Sequence, residues 1–162
     1  LHARPGMGED MMTGYTLWDE LRADPVQPLS IKDRINTVGK MADSMDALKL
    51  EPCPPVEDWR RLSDMVNMVT TLVDMGEMLD SHALLADACE AMVKASDRYK
   101  AGQALRFDGP GVKAMDSLFQ DYTMAVSVLP ARIMIRCHRL TVKRLQAIRK
   151  GQQRVSGRVV AI

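Results

Sequence analysis

Histidine is the side chain most often used as metal ligand and general base, and this sequence holds three: His2, His82 and His138. No two of them have the spacing of a helical zinc site. Cys137 and His138 are neighbours in sequence but point about 100° apart on a helix, so no metal site is expected. Asp74, Glu77 and Asp80 repeat every third residue and could gather a cation. A solvated helix face explains them as well, and no Glu-x-x-His motif accompanies them as a di-iron bundle requires. The segment from Gly102 to Lys113 is glycine-rich, yet it does not follow the phosphate-loop pattern G-x-x-x-x-G-K-[ST]. Its Asp108-Gly109-Pro110-Gly111 reads as a turn entering a helix. Cys137 stands among arginines that would lower a thiol pKa, but it falls on an apolar helix face, where it packs. The 13 methionines, Met65, Met68, Met75 and Met78 among them, suit either a pliable docking surface or core filling. With no nucleophile–base pair and no cofactor or metal motif, the chain is expected not to be an enzyme and to need no cofactor.

Charge is the property this sequence distributes unevenly. Its 22 Lys and Arg nearly cancel 21 Asp and Glu, for a net +1. That excludes a uniformly basic nucleic-acid coat protein and a uniformly acidic nucleic-acid mimic. Asp121 is the last acid. Residues 122–162 hold nine cations and no anion, which leaves 13 cations against all 21 acids before them, a balance of −8. The late cations are also spaced. Arg132, Arg136, Arg139, Lys143, Gln146 and Lys150 step by four and three, within about 40° of one line on a helix. Ile133, Met134, Cys137, Leu140, Leu145 and Ile148 occupy the other side. A helix over 131–150 is therefore expected to bury an apolar face and present a cationic ridge ~27 Å long. Arg132, Arg136, Arg139, Lys143 and Lys150 are its candidate partner-binding residues. Arg144 falls among the apolar positions, which either counts against this helical assignment or implies an internal partner. The ridge has three open destinations: acidic faces of the chain's own helices, nucleic-acid phosphates, or an acidic protein surface. Thr141 could instead cap a separate helix over 142–150, giving the outline of a helix-turn-helix without its usual Gly. Thr141 and Gln146 would then be the only base-reading groups.

The remaining elements follow from periodicity and breaks. Seven aromatic residues against 13 Met argue against a strand-rich sandwich or barrel, and 46% apolar residues in 162 suffice for one core. Thr16 caps a short helix over 17–23, stopped by Pro25 and Pro28. Behind Ser30, the residues Ile31, Ile35, Val38, Met41, Met45 and Leu48 make one helical stripe, with Asp33 as capping-box partner. Pro52-Cys53-Pro54-Pro55 breaks the chain, and Pro55 suits a first helical position. Trp59, Leu62, Val66, Val69 and Val73 then mark a third helix, with Glu57 and Arg61 as a surface pair. Gly76 ends it. Leu85, Ala88, Met92, Ala95 and Tyr99 mark a fourth helix, and Val112 through Leu129 a fifth that starts at Pro110. Pro130 divides this from the sixth, and Gly151 is its expected terminal cap. No tandem repeat and no sustained heptad seam appear. The expected fold is all-α, an antiparallel bundle of about five to six helices over 16–150, with a flexible start over 1–15 and a tail over 151–162.

Three cysteines, Cys53, Cys89 and Cys137, with no C-x-x-C pair, predict free and mostly packed thiols in a reducing compartment. The longest uncharged stretches, 65–73 and 122–131, fall far short of the roughly 20 residues of a spanning helix. Glu9 and Asp10 sit where a signal peptide would be apolar. A cytoplasmic protein without membrane contact is expected, its natural start at Met7, Met11 or Met12.

Two stretches, Gly14-Tyr15-Thr16-Leu17-Trp18-Asp19-Glu20-Leu21-Arg22 and the run from Leu129-Pro130-Ala131-Arg132 through Met134 to Thr141, resemble short uncharacterised helical proteins carried by prophages and plasmids of GC-rich proteobacteria. The resemblance implies an accessory role in a mobile element, in regulation, host takeover or defence evasion, and implies no catalytic residue. The expected function is a non-enzymatic interaction protein, a regulator or inhibitor that binds a protein partner. The alternative is a nucleic-acid-binding module, as a monomer or a dimer, gripping phosphates through Arg132, Arg136, Arg139, Lys143 and Lys150 of the helix over 131–150.

Overall fold

The computed structural model describes residues 14–151. Residues 1–13 and 152–162, which include most of the start and tail expected from sequence, lie outside the described residues. Six α-helices follow one another: α1 Leu17–Arg22, α2 Ile31–Leu50, α3 Val56–Asp74, α4 His82–Lys100, α5 Gly109–Val128 and α6 Ala131–Arg149. A 3-10 turn, Leu79–Ser81, leads into α4. No strand occurs among the described residues.

Each break has a local cause. The Ser30 hydroxyl accepts the Asp33 N–H at 3.1 Å and donates to the Asp33 carboxylate at 2.8 Å. Asp33 thus closes the cap through the serine side chain and not through its backbone, a variation on the expected box. Pro55 takes the cap position before α3, one residue earlier than expected. At the end of α3, Gly76 adopts φ +82° and the Glu77 N–H reaches back to the Leu72 carbonyl at 2.9 Å. A side chain there would be strained, so glycine sets the stop. Gly151 caps α6 in the same left-handed conformation, φ +70°. Asp108 opens α5 by accepting the Gly111 N–H at 2.7 Å, so the glycine-rich segment is a helix start.

The core is built around α3, which packs against α2, α4 and α6. Trp59, Leu62, Met65, Val66, Val69 and Leu72 are fully or almost fully buried, and truncating one to Ala would cost about 2–5 kcal/mol. The Trp59 indole N–H donates to the Met92 carbonyl at 3.2 Å, tying α3 to α4. Of the four methionines singled out, Met65, Met68 and Met78 are buried and Met75 half-buried, so they fill the core. Lys49 pairs with Asp116 at one end of the α2–α5 contact and Arg34 donates to the Ser127 carbonyl at the other. Those two helices therefore run antiparallel.

Two expectations need correction. The α2 stripe is buried only in its second half, at Met45 and Leu48, while Ile31 and Ile35 are 68% and 65% exposed. The first two turns of α2 reach beyond the core. Glu57 pairs with Arg60 at 3.5 Å and not with Arg61. Arg61 turns the other way, to Asp58 at 3.0 Å, because Asp58 also accepts the Ser44 hydroxyl at 2.8 Å and is held at the α2–α3 joint.

Candidate functional site

The short helix α1 is where the sequence places its polar and apolar residues least conventionally. Thr16 and Asp19 close a complete capping box: the hydroxyl accepts the Asp19 N–H at 3.2 Å and the carboxylate accepts the Thr16 N–H at 2.7 Å. Those hydrogen bonds hold the Asp19 carboxyl below its ordinary range. Pro25 disfavours helical geometry at Asp24, and the Asp24 carboxylate then accepts the N–H groups of Val26 and Gln27, each at 2.8 Å. A tight turn follows six residues of helix.

This turn caps α6. Pro130 has no hydrogen-bonding side chain with which to satisfy the first N–H groups of that helix. The carbonyls of Gln27 and Asp24 do so, at 2.8 Å from Ala131 N and 3.0 Å from Arg132 N. Arg132 closes the same joint from its side chain, donating to the carbonyls of Ala23 at 3.2 Å and Leu21 at 3.0 Å.

One turn on, Glu20 points inward with its side chain only 6% exposed. It accepts Arg136 Nε at 2.7 Å on one oxygen and an Arg139 guanidinium N–H on the other. Burial alone would raise the Glu20 pKa, but the hydrogen bonds and charges of the two arginines outweigh it and hold the carboxyl below the usual glutamate range. The apolar arc of α1 faces the other way. Leu17 and Leu21 are each about half exposed and Trp18 is 68% exposed.

The five candidate residues therefore divide. Arg132, Arg136 and Arg139 hold α1, which corrects the expectation of an open cationic ridge along the whole helix. Their four-then-three spacing serves an acid and the carbonyl end of a helix in the same chain. Lys143 and Lys150 face solvent. Arg144 has an internal partner, donating to the Asn67 carbonyl at 3.0 Å. The helix-turn-helix division is also corrected, since α6 runs unbroken through Leu140 and Thr141. Thr141 is buried: its hydroxyl shares a 2.6 Å hydrogen bond with Thr71 and reaches the Cys137 carbonyl at 2.9 Å. It cannot read a base.

The other candidates for chemistry resolve as structure. Burial pushes the Cys137 thiol up to about 12 against smaller opposing effects of Thr141 and Arg144, so it is no ready nucleophile. Asp74, Glu77, Asp80 and His82 are all exposed, and no group of three metal-ligating side chains gathers among the described residues. Cys89 and Cys137 are buried free thiols, and Cys53 is an exposed one. No described helix is long and apolar enough to cross a membrane.

Sequence reasoning missed Glu20 and the outward arc Leu17, Trp18 and Leu21. The only signal was the line of three arginines, which suits a carboxylate of the same chain as well as it suits solvent or phosphate. The chain matches no known protein family, no curated protein and no solved structure.

Proposed function

We propose that this protein acts by binding, as a non-enzymatic regulator or inhibitor, and that its contact surface is the composite face of α1 and α6. The observation that carries this reading is the inverted amphipathicity of α1. It turns its carboxylate toward α6 and leaves Leu17, Trp18 and Leu21 outside. An exposed tryptophan beside two half-exposed leucines, on a helix held by arginines, has the composition of an interface hot spot. One Glu20 carboxylate serves two guanidiniums, so the pairing leaves a positive surplus, while Asp24 offsets the charge of Arg132. An apolar patch with a cationic rim fits an acidic, amphipathic segment of a protein partner.

The two stretches that resemble mobile-element proteins are those that meet at this face, which supports an accessory role of that kind, exercised in the cytoplasm. Nucleic acid is the competing partner. Three of the five cations are engaged with α1 and hence poorly placed to track a phosphate backbone.

Affinity capture with the full chain tests this, run with and without nuclease and repeated with Trp18→Ser/Leu21→Ser. The expected result is a protein retained by the natural chain, unaffected by nuclease and lost with the double variant while the melting temperature holds. Retention that survives the variant, or that disappears with nuclease, contradicts the proposal.

A further inference from the structure

Helices α2, α3, α5 and α6 leave a cleft of about 400 Å³ between them, within the size range of small-molecule sites. Its wall carries the thioethers of Met41, Met68 and Met134 and four polar side chains, Thr37, Asp64, Tyr122 and His138. Gly14 and Tyr15 close one side. The Tyr15 ring stands edge-on to the His138 imidazole, centroids 5.2 Å apart and planes at 86°. Gly14 lies so close to the imidazole that an added Cβ would fall 2.4 Å from its Cε1, so this side fits only without a side chain there.

The polar groups are not matched by the fold. No hydrogen bond to Asp64 is made among the described residues, and Arg149 acts on it as a charge that lowers its pKa. Burial pushes its pKa up to about 6, with Arg149 pulling it down, so at neutral pH it is mostly carboxylate. His138 Nδ1 is buried and has no hydrogen-bond partner among the described residues. Burial lowers the imidazole pKa, which leaves the ring neutral. Buried polar groups are normally satisfied; among the described residues His138 Nδ1 is not, and the half-buried Asp64 in the same cleft has the charge of Arg149 acting on it.

We propose that this cleft binds a small organic ammonium compound, with its cationic head on Asp64 and its apolar body against the methionines. An anion would meet the Asp64 carboxylate. A neutral apolar molecule would leave both Asp64 and His138 Nδ1 unmatched. An ammonium answers the carboxylate and has N–H groups left for His138 and Tyr122. Methionine sulfur and the Tyr15 ring are polarisable neighbours for its charge. The inference rests on this cleft alone and not on the α1–α6 face.

The test uses the full chain with ¹³C-labelled methionine methyls, titrated with 2-phenylethylammonium, 2-phenylethanol and 3-phenylpropanoate. Expected are saturable shifts at Met41, Met68 and Met134 with the ammonium while Met115, in the core, stays in place. The alcohol should bind about tenfold more weakly or worse, a difference of one charge-assisted contact, and the carboxylate not at all. Asp64→Asn, nearly isosteric, should weaken the ammonium by a similar factor and leave the alcohol unchanged. No saturable shift, equal binding of alcohol and ammonium, or an unaltered ammonium affinity in Asp64→Asn each overturns the proposal. Should that variant fail to fold, the ranking of the three ligands on the natural chain decides it.

Discussion

Glu20 and Asp64 lie on different helices and both have α6 as their neighbour, yet their surroundings are opposite. Glu20 receives two guanidiniums, and its pKa is held below the ordinary range. Asp64 receives no hydrogen bond from a described residue, and its pKa rises to about 6. The same cationic helix supplies both environments: its first half carries Arg136 and Arg139 to α1, while Arg149, near its end, acts on Asp64 as a charge. A carboxylate that the chain neutralises itself is a fastener. One that it leaves unmatched in a cleft is available to something else.

The comparison breaks most strongly at the fastener. Arg136→Ala with Arg139→Ala leaves Glu20 covered and without partners, and removing partners from such a charge is costly. Because the pair lies at the surface under a single short helix, where solvent screens it, we expect about 2 kcal/mol of lost stability. Trypsin cleavage at Arg22 should accelerate as α1 detaches, and unchanged cleavage would show that other contacts hold α1.

Asp64→Asn should have the reverse sign. Removing a desolvated charge is expected to stabilise the fold by about 1 kcal/mol at neutral pH, measured by urea unfolding. A loss of stability would mean that the carboxylate has a partner within the fold.

The pH dependence separates the two acids without mutation. The lowered Glu20 pKa contributes stability that is present above the unfolded carboxyl value near about pH 4.3 and disappears as pH falls through the folded value. The raised Asp64 pKa works in the opposite direction, its favourable contribution being complete below about pH 4 and lost as pH rises through about 6. Faster hydrogen exchange of the α1 amides, relative to those of α3, is therefore expected when it is measured under strong acid. The stability difference between Asp64→Asn and the natural chain should fade between pH 7 and pH 4. A difference that stays constant over that range contradicts the assignment.

The smallest stability effect belongs to the open half of α6. Lys143→Glu with Lys150→Glu should leave stability within about 0.5 kcal/mol of the natural chain, since both side chains face solvent. Partner binding should slow on association if Lys143 belongs to the cationic rim.

Much of this anatomy was legible in the sequence. Apolar steps of three and four, punctuated by Pro25, the Pro52–Pro55 run, Gly76 and Pro130, locate all six helices, because local backbone chemistry sets their ends. Arg144, sitting among apolar positions, left open whether the helix was misassigned or had an internal partner, and the Asn67 carbonyl is that partner. What could not be read was which long-range partner each charge would find. The Arg132, Arg136 and Arg139 line looks the same whether it faces solvent, phosphate or Glu20, and only the placement of a six-residue helix more than a hundred positions earlier decides. The cleft escaped notice for the same reason, as Asp64 and His138 lie on different helices with no sequence motif linking them. Ile31 and Ile35 show the converse: their periodicity was helical, but the core ended before it reached them.

A titration of the full chain with a synthetic acidic amphipathic helical peptide, followed by tryptophan fluorescence, tests the binding face most directly. Trp59 is buried and Trp18 exposed, so a change on binding reports Trp18. The account requires a saturable blue shift with the acidic peptide that vanishes in Trp18→Phe and does not occur with a charge-reversed peptide. Trp18 fluorescence that ignores the acidic peptide yet responds to duplex DNA, with affinity falling steeply in salt, would contradict it.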